Sequence, residues 1–361
     1  MRRILFICML CLPLLSLAQE KEQEKKVKVG GWSQIQANGD FKEGEMTEMG
    51  FRIRRARLVL SGNLNPKFSY RLQGDFCGSP MLLDAWLKWK FSDAIAVQVG
   101  QFKFPYTMES NIGPMDLEHS DYGEAVQKLA GYKDICGIGK NGRDIGLMVS
   151  GKLVLLDANQ ETGKKHHLLG YSLGVFNGNG INNTDAGLMK DLVGKIDLYP
   201  FPFLPDWCFS ASMYKGVYKS DDHGDYVRDR YAVGVRYDNR KLVLRSEYLW
   251  GVTSLDAPDE NLYCQSTDAD GGYAQVGYWF DFKCHDLQQR LMPYLRYDCF
   301  SKAKTGAVDD SYASAAYSVG VRYDITSSVH AKAVYSMTDT KNGGVEEAYT
   351  HRFLLMLCYG F

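Results

Sequence analysis

Beyond its first eighteen residues the chain has no apolar run that could cross a membrane as a helix, because charges and glycines interrupt each one, and a spanning helix needs about 20 apolar residues. A helical membrane protein is excluded. Helical periodicity is almost missing as well, which argues against a bundle. Neither sign of charge is in excess, at 42 basic and 43 acidic residues, so no basic surface is offered to a nucleic acid. Cysteine is scattered: nine in all, and seven once Cys8 and Cys11 are removed with the N-terminal segment. An odd, dispersed set in a long chain is not a disulfide framework. Cys77, Cys208, Cys299 and Cys358 fall in strand patterns and read as small apolar residues, and Cys264 with Cys284 is the pairing still open. The histidines at 119, 166, 167, 223, 285, 330 and 351 form no Ser-His or Asp-His motif, and His166-His167 is too short a tract for a metal site. No catalytic, cofactor or metal residue is assigned.

What is present begins with an export signal. Arg2-Arg3 precede an apolar run from Ile4 to Leu17, and Ser16-Leu17-Ala18 provides small residues for cleavage before Gln19. Residues 1–18 are therefore expected to be a signal peptide, and 19–27 a short charged periplasmic segment. Neither early cysteine sits at the cleavage position, so no lipid anchor is expected. An exported chain without spanning helices is either soluble or a closed β-barrel. Aromatics at 13%, with 23 tyrosines and 36 glycines, suit a barrel that is apolar outside and polar inside.

Alternation with a period of two runs the length of the chain. Phe68, Tyr70, Leu72, Gly74 and Phe76 oppose Lys67, Ser69, Arg71, Gln73 and Asp75; Leu83, Ala85, Leu87, Trp89 and Phe91 oppose Asp84, Lys88 and Lys90. Tyr231, Val233, Val235 and Tyr237 oppose Arg230, Arg236 and Asp238, and Tyr317 to Tyr323 repeat the arrangement against Arg322 and Asp324. Apolar faces that begin and end in tyrosine match the aromatic girdles of a membrane barrel, which a dry core would not need. The final segment places His351, Phe353, Leu355, Leu357, Tyr359 and Phe361 on one face, expected to meet lipid.

About sixteen such segments are expected: 28–38, 50–62, 67–77, 82–91, 94–102, 143–152, 167–177, 190–200, 207–217, 228–238, 241–251, 272–283, 289–300, 313–324, 328–337 and 350–361. Connections after even strands are mostly short and those after odd strands mostly long, at 39–49, 103–142, 178–189, 252–271, 301–312 and 338–349; the stretch 153–166 is an exception. A soluble sandwich has no reason to alternate loop lengths in this way, whereas short periplasmic turns and long extracellular loops are the two rims of an outer-membrane barrel. The fold class expected is all-β, a closed antiparallel transmembrane barrel over 28–361.

Gly50-Phe51-Arg52-Ile53-Arg54-Arg55-Ala56-Arg57-Leu58 with Gly62, Asp84-Ala85-Trp86-Leu87-Lys88, Val99-Gly100-Gln101-Phe102-Lys103-Phe104-Pro105, Arg143-Asp144-Ile145-Gly146 and Gly174-Val175-Phe176-Asn177-Gly178-Asn179-Gly180 occur in this order, and together the chain resembles the phosphate-selective porin O and P family. The resemblance implies a sixteen-stranded homotrimeric porin whose long third loop folds into the lumen, and an anion channel lined by a ladder of arginines. Residues 103–142 match that loop in position and length.

From the residues themselves, the pore-lining candidates are Arg52, Arg54, Arg55, Arg71, Lys88, Lys90, Lys103, Arg143, Arg236, Arg245, Arg296 and Arg322. On the strands, inward basic residues exceed the acids Asp75, Asp84, Asp197, Asp238, Glu247, Asp298 and Asp324. Within the long loop, Lys103, Lys128, Lys133, Lys140 and Arg143 are matched by Glu109, Asp116, Glu118, Asp121, Glu124 and Asp134. Three Arg-Tyr-Asp triplets, at 236–238, 296–298 and 322–324, set opposite charges on one face, where the simplest role is mutual neutralisation. Arg52, Arg54, Arg55 and Arg57 cannot all face inward on a regular strand, so a bulge or a rim position is expected. The reading is an outer-membrane porin for small hydrophilic solutes, anion-preferring, with phosphate or other oxyanions as candidates and outer-membrane lipid as its surroundings. The alternatives are a barrel enzyme of lipase or protease type and a non-transporting adhesin or structural barrel.

Overall fold

The computed structural model describes residues 27–135, 141–156, 166–184, 189–201, 206–220, 224–255, 266–305 and 311–361. The segments expected to be signal peptide and periplasmic extension lie outside these residues, apart from Val27, as does Cys264 of the cysteine pairing. The first strands are β1 (Val27–Lys42), β2 (Glu45–Asn65), β3 (Phe68–Asp75), β4 (Met81–Lys90) and β5 (Ala96–Lys103). Two short helices follow, α1 (Met108–Asn111) and α2 (Glu124–Leu129). The wall continues with β6 (Arg143–Leu156), β7 (His166–Phe176), β8 (Asp191–Leu198), β9 (Trp207–Ser220), β10 (Gly224–Asp238), β11 (Leu242–Leu255) and β12 (Ser266–Tyr278). It ends with β13 (Phe280–Cys284), β14 (Leu287–Thr305), β15 (Ser311–Asp324), β16 (Val329–Asn342), β17 (Val345–Glu346) and β18 (Thr350–Gly360).

Each strand pairs antiparallel with its neighbours, and β18 returns to pair with β1 from Trp32 opposite Gly360 to Lys42 opposite Thr350. The sheet is closed. β12 and β13 are successive parts of one stave on β14, and β17 only continues the hairpin above β16, so the barrel has sixteen staves. At the seam, Gly31 and Phe361 exchange two backbone hydrogen bonds of 3.1 and 3.0 Å. Glycine suits that position, since a Cβ on residue 31 would stand 2.9 Å from the Arg57 backbone carbonyl.

Three short turns are held by the side chain at their first corner. Asn65 Oδ1 accepts from the Lys67 and Phe68 N–H groups, Asn239 Oδ1 from Lys241 and Leu242, and Thr326 Oγ1 from Ser328 and Val329, satisfying donors that the ladder leaves over. The segment 39–49, expected as a long loop, is instead a continuation of β1 and β2 with Lys42 opposite Glu45 and positive φ at Glu43 and Gly44. Polar residues on both faces hide a strand from an apolar–polar count but not from the ladder, and the double positive φ fits the twist of a two-residue hairpin.

Phe51, Ile53, Val99, Leu147, Leu173, Val233, Leu295, Tyr317, Val319, Phe353, Leu355 and Leu357 form an exposed apolar outer face, too extensive for water and suited to the apolar band of a membrane barrel. Leu83 is a correction. The alternation puts it on the outer face with Ala85 and Leu87, yet it is fully buried while Leu82 is exposed. A register shift at Gln73/Gly74 turns both Leu83 and Asp84 inward, and Gln101 Nε2 bridges the Leu82 and Leu83 carbonyls at 3.0 Å each.

Candidate permeation site

The wall presents rows of inward polar side chains, and the segment between β5 and β6 engages many of them. Glu109 bonds Arg296 at 2.5 Å, and Glu118 accepts both guanidinium arms of Arg245 at 2.9 and 3.1 Å. Asp134 bonds Arg230, Glu124 accepts from Tyr312 and Ser314, and Asp121 pairs with Arg54 and Arg55. Carbonyls also take part: Lys332 donates to the Pro114 oxygen, Gln34 to the same oxygen, and Arg322 to that of Asp116. Glu247 accepts from the backbone N–H groups of Met108 and Glu109 at the start of α1, where its carboxyl oxygens meet donors that no helical turn can satisfy. Beneath these bonds Tyr106, Leu117, Val126 and Leu129 join Phe176, Tyr214, Leu249 and Phe300 of the wall in one apolar cluster.

The titratable groups at these junctions differ: burial outweighs Arg296 and raises the Glu109 carboxyl, while other groups are lowered. Burial pushes Glu118 up, but Arg245 outweighs it and holds the carboxyl down at about 2. Asp121 is likewise lowered: burial opposes ionisation, and Arg54 and Arg55 overcome it. His119 is brought down to about 4, chiefly by burial and then by the Arg296 charge, so it is neutral at physiological pH.

The arginine-rich run on β2 resolves through a bulge. Gln34 lies opposite Arg55 and Ile35 opposite Ile53, which leaves Arg54 as the extra residue. Arg52 shares the face of Gln36, Arg55 donates to Gln34 at 2.8 Å, and Arg57 donates to Asp75 at 2.8 Å. The bulge thus turns Arg54 toward Asp121 and lets all four arginines share one side.

On the other side of the lumen lies a cavity of about 740 Å³. Strands β1 to β8 supply its wall, and Pro105, Asn111, Gly113, Pro114, Met115 and Asp116 supply its opposite boundary. Its charged lining is Arg57, Arg71, Lys103, Arg143 and Lys195 against Asp84, Asp116 and Asp197. Asp84 accepts from Arg143 at 2.7 Å and lies 3.5 Å from Arg71. Arg71 keeps 38% of its side chain exposed, whereas Arg143 keeps 4%.

The twelve candidates therefore divide. Arg71, Lys103 and Arg143 line the cavity, and Lys88 is half-buried on the same face of β4 as Trp86. Lys103 also donates to the Ser110 carbonyl at 2.6 Å and to the Tyr122 hydroxyl at 3.1 Å. Arg54, Arg55, Arg245, Arg296 and Arg322 bond the β5–β6 segment. Arg52 is exposed, Lys90 is exposed and pairs with Asp93 at the turn, and Arg236 is half-buried opposite Arg245. Two of the three triplets neutralise themselves, Arg296 with Asp298 and Arg322 with Asp324, each at 2.7 Å. The tryptophans Trp32 and Trp86 were missed, although Trp86 stands between Asp84 and Lys88 on a polar face, and that break in the alternation was the available signal.

Residues 27–165 match the family described as phosphate-selective porin O and P. No curated protein matches the chain. Among solved structures, the fold is similar to an anion-selective porin from Comamonas acidovorans, with TM-score 0.66 and 12% identity over 94% of this chain and 100% of that one. The outer membrane channel DcaP of Acinetobacter baumannii gives 0.63 and 14% over 94% and 99%, and the trimer form of OmpT from Vibrio cholerae gives 0.62 and 12% over 94% and 100%. The closed ladder, the apolar outer face and these likenesses together give the chain a porin-type β-barrel fold, of which residues 27–165 match the phosphate-selective porin O and P family.

Proposed function

We propose that the protein is a homotrimeric outer-membrane channel through which small hydrophilic solutes diffuse, with a preference for anions. The observation that carries this is the cavity lining, five basic side chains against three acidic ones. Fixed positive charge beside a narrow aqueous passage raises the local anion concentration. Residues 103–142 act as the inward-folded third extracellular loop that narrows this passage, as their bonds to side chains on β1, β2, β10, β11 and β14 to β16 support. The pore-lining role belongs above all to Arg71, with Lys88, Lys103 and Arg143 beside it. Phosphate and other oxyanions are within the chemistry of this lining. A trimeric assembly agrees with the partial family match and with the trimer form of the Vibrio cholerae relative.

The test is a reversal-potential measurement across a KCl gradient in planar bilayers. Chloride is expected to be preferred, most strongly at low salt, where screening is weakest. Cation preference in the unmodified channel at low salt would overturn the reading.

A further inference from the structure

The cavity carries a feature that an inorganic oxyanion would not use. Trp32 and Trp86 line it together with the cations, and each faces an arginine across a strand pair. Trp32 lies opposite Arg57, whose guanidinium sits 4.8 Å from the indole centroid, and Trp86 lies opposite Arg71. Gly100 is the partner of Trp86 on the other side. With φ of 121° and a Cβ that would meet the Ala85 carbonyl at 2.1 Å, residue 100 admits only glycine, so no side chain stands opposite Trp86 on that strand. Phe102, Met115 and Met148 add further apolar surface to the same lining.

A small hydrated dianion gains nothing from indole faces and thioethers. A flat organic anion gains from both parts of the lining: its charged group meets the guanidinium of Arg71, and its ring stacks on indole. At about 740 Å³ the cavity falls within the roughly 300–1,000 Å³ of small-molecule sites, which are mostly apolar with a few placed polar groups. We infer that the lumen holds a binding subsite for aromatic carboxylates, built on Trp86 and Arg71 with Trp32 at its edge. The inference rests on the anion-preferring reading of the same cavity.

The experiment records single-channel current in KCl while benzoate, acetate or phosphate is added at matched charge and ionic strength. Benzoate is expected to interrupt the current at concentrations at least about tenfold below those at which acetate or phosphate act, the ring contact being worth on the order of one stacked aromatic pair or more. Trp86→Ala should abolish the difference between benzoate and acetate, Trp86→Phe should keep most of it, and Arg71→Gln should weaken block by every carboxylate. Equal block by benzoate and acetate in a chloride-preferring channel, or an undiminished benzoate effect in a folded, conducting Trp86→Ala channel, would overturn the subsite and leave the anion reading standing. Cation preference would remove both.

Discussion

The two sides of the barrel begin from similar wall chemistry and finish differently. Along β10 to β16 Arg230, Arg245, Arg296, Arg322 and Lys332 are taken up by the β5–β6 segment, through carboxylates or backbone carbonyls, whereas Arg228 pairs with Asp191 and Arg236 lies opposite Arg245. Along β1 to β8 the wall carries its own acids, Asp75 and Asp84, and the segment stands back far enough to leave the cavity. Charge on the first side fastens a piece of chain. On the second side part of it remains exposed to solvent, as Arg71 shows. The overall balance of 42 basic and 43 acidic residues conceals this division, because the acids of the segment pair with arginines of β10 to β14 and with Arg54 and Arg55 of β2, while Arg71 is left to the wall's own Asp84. What an inward arginine does in this protein depends on whether a carboxylate can reach it.

The strongest way to break the contrast is to remove the segment. Replacing residues 106–134 by a short linker should raise single-channel conductance by a factor on the order of two or more, since the narrowest point of a pore governs its current. It should also increase chloride preference, because Arg245 loses Glu118 and Arg296 loses Glu109. Unchanged conductance and selectivity would place the segment outside the conducting path.

Next in size is a stability contrast between an arginine of each side. Arg296→Met leaves Glu109 buried without its partner, both side chains being fully shielded, and breaking such a pair costs about 3–5 kcal/mol. The unfolding midpoint in urea should fall accordingly, and Glu109→Gln added to Arg296→Met should recover part of the loss. Arg71→Gln should leave the midpoint nearly unchanged, because its side chain is partly exposed and its Asp84 oxygen is 3.5 Å away. Equal losses for the two variants would erase the distinction between a fastening and a solvent-facing arginine.

Selectivity should show the reverse ranking. Arg71→Glu is expected to lower the chloride-to-potassium permeability ratio at low salt by a factor of about two or three, fading as the Debye length shrinks from roughly 30 Å at 0.01 M to roughly 3 Å at 1 M. Arg54→Glu should act less through the field at the cavity than through Asp121, with which Arg54 pairs. A larger selectivity change from Arg54→Glu than from Arg71→Glu would mean that the conducting path runs along the bulge.

The smallest effect is the pH response of the fastened side. Glu118 has its carboxyl lowered from 4.5 to about 2 in the folded protein, so its bond to Arg245 contributes stability that is present above 4.5 and is lost as pH falls through 2. The Glu118–Arg245 bond should therefore add no pH dependence from neutral pH down to about 5, and its loss, read as a fall in the urea midpoint that Glu118→Gln removes, should begin only below about 4. A step near pH 6 would point to another group. His119, brought down to about 4 by burial, is neutral there and does not supply it.

Much of the fold was legible because a barrel strand obeys one local rule. The face of β18 that carries Phe353, Leu355, Leu357 and Tyr359 is exposed as its alternation required, and so is the face of β15 that carries Tyr317 and Val319. The rule failed where geometry was not local. Leu83 turned inward because of a bulge that Gln101, on another strand, stabilises, and β1 and β2 ran on through 39–49 because their mutual ladder needs no apolar pattern. In the site, the clustered arginines of β2 and the long acidic connection were both visible in the sequence. Their pairing was not.

The sequence by itself determined the strand period and the count of staves, since each follows from the side-to-side alternation of an extended chain, and it led to the expectation of an excess of inward basic residues. Only the tertiary structure decided which of those residues are neutralised and which face the cavity. Arg296 and Arg71 are equivalent as inward positions on a strand; Glu109 and Arg296 stand 187 residues apart in sequence and 2.5 Å apart in space, and no periodicity encodes a distance of that kind.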